Sequence, residues 1–437
     1  MSNHSRRRYA VVGLSNRAIG QYVLPMIGHP KLPEYGNYSQ HAEVVAVSDI
    51  DPARVEAFNN AMGVRLPYYG VEDVGRMIDQ TRPDALIVAG PDGTHVEGIV
   101  TGLDHNVDVI TEKPMVIDAA QARRVLEAEA KSKKRVYVTF NYRYTQTHMM
   151  IKRLIMEGKI GRVTNVEMTW NIDTYHGSSY FNRWNRDRAL SGGMSITKSC
   201  HHFDLVNWWV NDRPKQVFAY GALNYYGANS PHKPKGKLSA VELRERSPYR
   251  LRWSAPWQNQ PKDDHLIAHE KVFNLPYKVQ YPQDPPFDMF DEAIDIEDTY
   301  SAVVRYLGGA SLSYSANFSA PWEGYTLGIN GTHGRIEARH YTEPSRNPFP
   351  SDSHETLVYY PIFGHRQVLE VPQVGGGHGG ADPMLKYDLF VERLPQSEEL
   401  GLLADARQGA DAVMVGEAVW RSIKENRPME IEQLGSV

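Results

Sequence analysis

Lys113 closes the segment Thr111-Glu112-Lys113-Pro114, directly after the apolar run 107–110. A lysine at the carboxyl end of a parallel strand can pass a proton to or from a carbon-bound oxygen. Much further along, Thr197-Lys198-Ser-Cys200-His201-His202 places two imidazoles after a second lysine. When hydride leaves a carbinol carbon, the hydroxyl proton must go to a base and the developing alkoxide needs a nearby cation. Lys113 with His201 supplies both, so the residue types point to redox chemistry on an alcohol. Thr197/His201 and Lys198/His202 are each one helical turn apart, which predicts two adjacent stripes on one helix. His202 is a further candidate for proton transfer.

Such chemistry needs a hydride acceptor, and the start of the chain offers a place for one. Val11-Val12-Gly13-Leu14-Ser15-Asn16-Arg17-Ala18 stands where a strand turns into a helix, with Gly13, Ser15 and Ala18 at the small-residue positions of a dinucleotide-binding turn. The helix start offers unpaired N–H groups and a positive dipole end to a pyrophosphate, and serine adds a small donor. Asp49 ends the second strand pattern, where a carboxylate accepts hydrogen bonds from both ribose hydroxyls and repels a 2′-phosphate, so NAD is expected over NADP. An insertion over residues 28–42 stretches the usual spacing between turn and carboxylate. The later turn Gly90-Pro91-Asp92-Gly93-Thr94-His95 lies at the same ligand-binding edge, although Asp92 is equally readable as a helix cap and Thr94 more readily so.

The elements that must position these residues follow from hydrophobic period. Residues 9–13, 43–49, 85–89, 107–111 and 135–140 read as short apolar strands, and 19–27, 52–62, 70–80, 94–103 and 118–132 read as helices. Such alternation argues for a parallel sheet covered on both faces. After residue 161 the pattern changes to a half-exposed strand over 163–172, aromatic and arginine-rich loops, a helix over 196–210, and strands at 216–221, 299–306, 310–318, 325–331 and 334–338. This half reads as an open, mainly antiparallel sheet with helices on one face. A helix over 404–424 returns to close the structure. The expected division is 1–140 and 141–437, with a long insertion at 226–292 of the kind that covers a site or extends an interface.

Composition bounds the function. Across 437 residues, 41% hydrophobic and 23% charged content with a net charge of −4 excludes a polyanion-binding or membrane-surface protein. The length implies two cores. Cys200 is the single cysteine, which excludes an intrachain disulfide and fits a reducing, cytoplasmic setting. The basic start through Arg6-Arg7-Arg8 reads as a solvated tail and not an export signal, and no stretch is long enough to span a bilayer. Without clustered carboxylates at ligand spacing, the histidines are poor metal ligands, and no metal is expected.

Taken together, the Gly-rich turn, Asp49, Pro91 to His95, Glu112-Lys113-Pro114, Tyr142-Arg143, Gly158-Lys-Ile-Gly161, and Gly192-Gly193 followed by His201 and Asp204 resemble the glucose-fructose oxidoreductase/inositol dehydrogenase/MocA (Gfo/Idh/MocA) family. The resemblance spans nearly the whole chain outside 226–292. It implies a Rossmann domain followed by an α/β domain whose open sheet mediates oligomers, here a homodimer or homotetramer, and NAD(P)-dependent chemistry on sugars, inositols or glycosides. It implies that Gly13, Ser15, Asn16, Arg17, Ala18, Asp49, Pro91, Asp92, His95, Glu112, Lys113 and Arg143 surround the cofactor, with Lys113 and His201 as the active-site lysine and histidine. One departure stands out. The family often has an aspartate four residues before that histidine, where this chain has Thr197, which hydrogen-bonds but cannot neutralise an imidazolium. His201 then works with less electrostatic support, or a route through Lys198 and His202 replaces it.

For a substrate, Tyr142 and the stretch Tyr175, His176, Arg183 and Trp184 bring aromatic faces and forked donors suited to a pyranose, joined by Thr197, Lys198 and His378 on a Gly-rich loop. Any one of these serves equally well to pin a loop, and Trp208 and Trp209 read as core. The leading expectation is an NAD-dependent dehydrogenase acting on a ring secondary hydroxyl of a carbohydrate. A second keeps the hydride in a redox-cycling glycosidase, with His202, Tyr142 or Tyr175 as an extra acid/base. A third is a non-catalytic sugar or nucleotide sensor on the same fold.

Overall fold

The computed structural model describes residues 6–30, 32–236, 287–342 and 355–435, with 239 and 242 as isolated positions. Most of the expected insertion therefore lies outside the described residues.

In the first sheet β1 (Arg7–Val12), β2 (Ala42–Ser48), β3 (Tyr68–Tyr69), β4 (Ala85–Val88), β5 (Asp108–Thr111) and β6 (Val136–Val138) run parallel in the order 3-2-1-4-5-6. Every residue of Ala-Leu-Ile-Val in β4 is buried, as a strand covered by helices on both faces requires. The order reverses between β1 and β4, and the crevice at their carboxyl ends is the binding position of such sheets. The basic start is not a free tail: Arg7 and Arg8 belong to β1, and the Arg8 N–H donates to Asp84.

The second sheet contains β7 (Val163–Asp173), β8 (Pro214–Ala222), β9 (Thr299–Tyr306), β10 (Ser311–Ala320), β11 (Gly324–Gly331), β12 (Gly334–Tyr341), β13 (Glu355–Pro361) and β14 (Gln367–Leu369). Their order is 14-13-12-11-7-10-9-8, with Met429–Glu430 added beyond β8. It is mixed: β7 and β10 pair in parallel at its centre, and the other neighbours are antiparallel. Strict alternation of buried and exposed residues along β9 leaves one face open.

The helix Ala406–Glu425 closes the structure, started by a capping box between Asp405 and Gln408. It packs on β8, on the helix Cys200–Val210 and on the Rossmann helix Ala119–Lys131, so it joins the two halves. Ala404–Asp405 pairs with β6, adding an antiparallel edge to the first sheet from the far end of the chain.

Two expectations are corrected near the site. The single helix over 196–210 is broken: a turn Met194–Thr197 ends at Lys198, and the long helix begins at Cys200. Thr197/His201 and Lys198/His202 therefore do not lie on two continuous stripes. The aromatic and arginine-rich stretch is not all loop, because Asp173 caps a helix Thr174–Phe181 through the His176 N–H.

Candidate active site

The turn after β1 is fixed by close backbone approach. Gly13 has φ +85°, and a Cβ there would stand 2.6 Å from the Gly90 Cα at the end of β4. Only glycine fits this left-handed, crowded position. Ser15 caps the following turn, accepting from the Ala18 N–H at 3.1 Å while donating to the Ala89 carbonyl at 2.7 Å, with Ala18 buried. Asn16 and Arg17 remain partly exposed at the helix start. The buried Asp49 carboxylate is held by the N–H groups of Leu14 (2.7 Å) and Asp51 (3.0 Å), which aim it across the β1–β2 crevice. A Gly-lined backbone cradle and an oriented carboxylate suit a dinucleotide, with Gly13 to Ala18 beside the pyrophosphate and Asp49 at the ribose.

Pro91 is exposed and starts the turn Asp92–Thr94. Thr94 stands at the start of the helix His95–Asp104 but does not cap it with its side chain; its hydroxyl donates to the Pro91 carbonyl at 2.7 Å. Glu112 is buried and accepts from Arg17 Nε (2.8 Å) and the Tyr22 hydroxyl (2.6 Å). Burial opposes its charge, but Arg17 and the Tyr22 hydrogen bond outweigh this and hold the carboxyl below its usual range.

Next to Glu112, the Lys113 side chain leaves the Rossmann sheet and donates from Nζ to the Thr197 carbonyl at 3.2 Å. The same threonine donates its hydroxyl to Asp92 Oδ2 at 2.8 Å. Thr197 thus links the strand-end lysine to a buried carboxylate from the β4 turn. Burial pushes the Asp92 pKa up, opposed by His95, Lys113 and the Thr197 hydrogen bond.

His201 stacks on Tyr142 at 4.2 Å between ring centroids, with Phe140 edge-on. Its Nδ1 is buried without a hydrogen-bond partner. Burial first, then the cations Lys113 and Lys198, pushes its pKa well below the usual value, so the imidazole is held neutral. Lys198 is buried with Nζ 3.3 Å from the Tyr142 hydroxyl; burial opposes its charge, but Tyr142, Tyr180 and Glu323 raise its pKa. The His378 ring sits 5.9 Å from Tyr142 with Nδ1 2.9 Å from Asp382 Oδ2. Asp382 lies in the first turn of the helix Ala381–Phe390, and Gln21 and Asn141 also donate to it. Lys113, Thr197, Lys198, His201, Tyr142 and His378 therefore form one cluster.

A second group was not foreseen as a unit. His176 Nδ1 lies 2.9 Å from one Glu323 oxygen and 3.0 Å from the other, while His176 Nε2 lies 3.0 Å from the Tyr180 hydroxyl. Arg183 donates from Nε to the Ser179 carbonyl and covers the Tyr180 ring at 5.4 Å. The i,i+4 spacing of His176 and Tyr180 is the sequence signal for this pair, and it carries meaning only once the segment is known to be helical.

Three expected site residues have other work. His202, expected to move protons, stacks on Trp170 at 3.8 Å and joins Tyr314 at 2.6 Å in a buried network through Ser199 to Tyr300. Arg143, expected at the cofactor, is fully buried, with Nε and Nη2 on Asp204 (2.8 and 2.5 Å) and Nη1 on the Gly401 carbonyl and Gln408. His95 has its ring nitrogens 2.9 Å from the carbonyls of Gly90 and Pro114, which ties the β4 exit to the segment after Lys113. Trp184 and Tyr175 are half-buried on the segment around Arg183. Trp208 and Trp209 are core, and no metal-binding cluster occurs among the described residues.

A Rossmann crevice facing a lysine and neutral imidazole, roofed by an open mixed sheet, defines a two-domain nucleotide-dependent oxidoreductase. The chain belongs to the Gfo/Idh/MocA oxidoreductase family: residues 7–140 match its NAD-binding Rossmann fold and residues 152–431 its C-terminal α/β domain. It is 46% identical over 430 residues to the protein named "Putative oxidoreductase YteT" of Bacillus subtilis (strain 168), covering 97% of both chains. It is 27% identical over 186 residues to an inositol 2-dehydrogenase of Rubrobacter xylanophilus, 41% of this chain and 48% of that one. Among solved structures, a levoglucosan dehydrogenase with NADH and levoglucosan superposes with a TM-score of 0.64 at 15% identity, covering 98% of this chain and 100% of that one. The aldose-aldose oxidoreductase of Caulobacter crescentus, complexed with glycerol, gives 0.62 at 15% identity over the same shares. The N-terminal domain is thus an NAD-binding Rossmann domain, and none of the described helices is long and apolar enough to cross a membrane.

Proposed function

We propose that this protein is an NAD-dependent dehydrogenase that oxidises a ring secondary hydroxyl of a sugar, glycoside or inositol. The carrying observation is the convergence of Lys113 from the Rossmann domain on Thr197, in the segment that leads into His201. Bound NAD supplies the hydride acceptor. His201, neutral in its aromatic setting, takes the hydroxyl proton, and Lys113 places a cation at the oxygen where negative charge develops. Lys198, held against Tyr142, binds a neighbouring hydroxyl, and Arg183 and His378 frame the ring. Relatives named as inositol dehydrogenases support polyol substrates. The exposed residues Tyr220, Val303 and Val368 on the second sheet support self-association as a dimer or tetramer.

The Glu323–His176–Tyr180 group favours a second reading, a glycosidase that returns the hydride after cleavage, because that scheme needs an acid/base beyond the Lys113 site. The two readings separate in one assay with limiting NAD and a panel of glycosides and inositols. One product per NAD with accumulating NADH supports the dehydrogenase, whereas many products per NAD without accumulation supports the glycosidase.

A further inference from the structure

Several guanidinium groups set into this fold lie against carboxylates: Arg143 on Asp204, Arg186 on Asp291 and Arg188 on Glu297. The cleft in front of His201 departs from that pattern. Lys113, Lys198 and Arg183 make no ion pair among the described residues, although Lys198 is only 4% exposed. Their bonds go to neutral groups: Lys113 to the Thr197 carbonyl, Lys198 to the Tyr142 hydroxyl, and Arg183 to the Ser179 carbonyl at 2.8 Å and hydroxyl at 3.2 Å. Nearby carboxylates are already engaged, Asp92 with Thr197, Asp382 with His378, and Glu323 with both oxygens on His176. A cation taken out of water without an opposite charge is costly, so a group of them marks a place where the opposite charge arrives with a ligand. Lys152 and Lys386 also lack an ion pair, but each stands alone and burial lowers each to about 8; Lys198 is instead raised, against burial, by Tyr142, Tyr180 and Glu323.

The three cations face one space. Lys198 lies over the Tyr142 ring at 5.7 Å, and that ring stacks on His201. Lys113 and Arg183 both act on the Asp92 carboxylate, and Arg183 covers the Tyr180 ring at 5.4 Å. Burial opposes ionisation of the Tyr180 phenol, yet His176, Lys198, Lys113 and Arg183 together bring it down to about 8, which records their joint field. Lys113, Tyr142 and Arg183 each keep part of their surface open to water, so this space is a cleft and not a sealed core.

We infer that the substrate is an anionic sugar, a hexuronate or a uronide, whose carboxylate is received by Arg183 with Lys198 beside it while the hydroxyl to be oxidised lies at Lys113 and His201. The inference rests on the dehydrogenase reading and names its substrate class. Ser179 holds Nε and Nη2 of Arg183 and leaves Nη1 unbonded, so a planar, forked donor is fixed in place with an edge to offer a planar carboxylate. Lys198 uses one hydrogen bond on Tyr142 and has donors left for the same anion.

The test compares acid and neutral forms of one sugar. In the NADH-loaded protein, calorimetry measures binding of methyl galactopyranosides and glucopyranosides, both anomers of each, and of the matching methyl uronides. The uronides are expected to bind about 10- to 100-fold more tightly than their neutral partners, with a kcat/KM ratio of the same size when NAD reduction is followed. R183Q is expected to lower that ratio about tenfold, K198M to lower it as well, and R183K to keep part of it. Because the ratio is taken within one variant, loss of folded protein leaves it unchanged. No binding of any uronide, equal preference for acid and neutral sugars, a ratio that R183Q leaves intact, or tighter binding of a hexose phosphate than of the uronides overturns the inference. If no sugar reduces NAD, the dehydrogenase reading fails, and the calorimetric ratio alone decides whether the cleft receives a carboxylate.

Discussion

The Thr197 hydroxyl donates to the Asp92 carboxylate at 2.8 Å, while the Thr197 carbonyl accepts from Lys113. A second-domain residue that cannot carry charge thereby bridges two groups of the Rossmann domain, the buried Asp92 carboxylate and Lys113. Asp92→Asn is expected to lower kcat by about 10- to 100-fold, since it keeps the shape and removes the charge. The double variant D92N/T197D returns a carboxylate to the same junction and is expected to recover activity. Failure of the double variant, measured as kcat against pH, means that Asp92 acts elsewhere.

Lys113 and His201 carry the proton chemistry of the proposed mechanism. K113M and H201A are each expected to lose about 10²- to 10⁴-fold in turnover while still quenching NADH fluorescence on binding. If both variants retain turnover, the proposed mechanism falls; a protein that shows no turnover, and whose ligand response survives both substitutions, is what the sensor reading predicts.

Much of the Rossmann half was legible because its signals are local. The unbroken apolar run of β4, the left-handed Gly13 and the carboxylate ending β2 each announce their place within a few residues. The second half depends on contacts that short periods do not encode. The sequence points to His202 through its neighbour His201, whereas its ring stacks on Trp170 and bonds Tyr314, more than thirty and one hundred residues away. Arg143 pairs with Asp204 from a different element, and the partner decides its role. The Glu323–His176 pair is hidden because its members meet across 147 positions. The strands β13 and β14 were missed because their few residues become strands only by pairing on β12.

The Glu323–His176 pair has a pH signature of its own. Burial opposes both charges, yet Tyr180 and Glu323 raise the imidazole pKa, and His176 lowers that of the carboxyl. A raised imidazole stabilises the fold fully below its unfolded value of 6.5 and loses this as pH rises through the folded pKa. A depressed carboxylate stabilises fully above its unfolded value of 4.5 and loses this as pH falls through the folded pKa. The Tm gap between wild type and E323Q is therefore expected to be widest between 4.5 and 6.5. A gap that does not vary with pH contradicts a charged pair.

Asp49 is held by the N–H groups of Leu14 and Asp51, so its charge is fixed at the crevice. Asp49→Ala removes the repulsion of a 2′-phosphate and the ribose acceptor together. The ratio of kcat/KM for NADP to that for NAD is expected to rise by about tenfold or more, the size of a single lost charge contact of about 1.4 kcal/mol. An unchanged ratio shows that cofactor choice is made elsewhere.

Arg143 and Asp204 are each 1% exposed, and the guanidinium also lies over Trp208. Removing one member leaves the other charged and sealed from water, so Asp204→Ala is expected to cost about 3–5 kcal/mol of stability. The paired variant R143M/D204L removes both charges and fills the space, and it is expected to unfold at higher denaturant than D204A. This ordering follows from desolvation, because a buried ion pair is costly to halve and much less costly to replace. Equal midpoints for D204A and the double variant mean that the Gly401 and Gln408 bonds of Arg143, and not its charge, hold the junction beneath the active site.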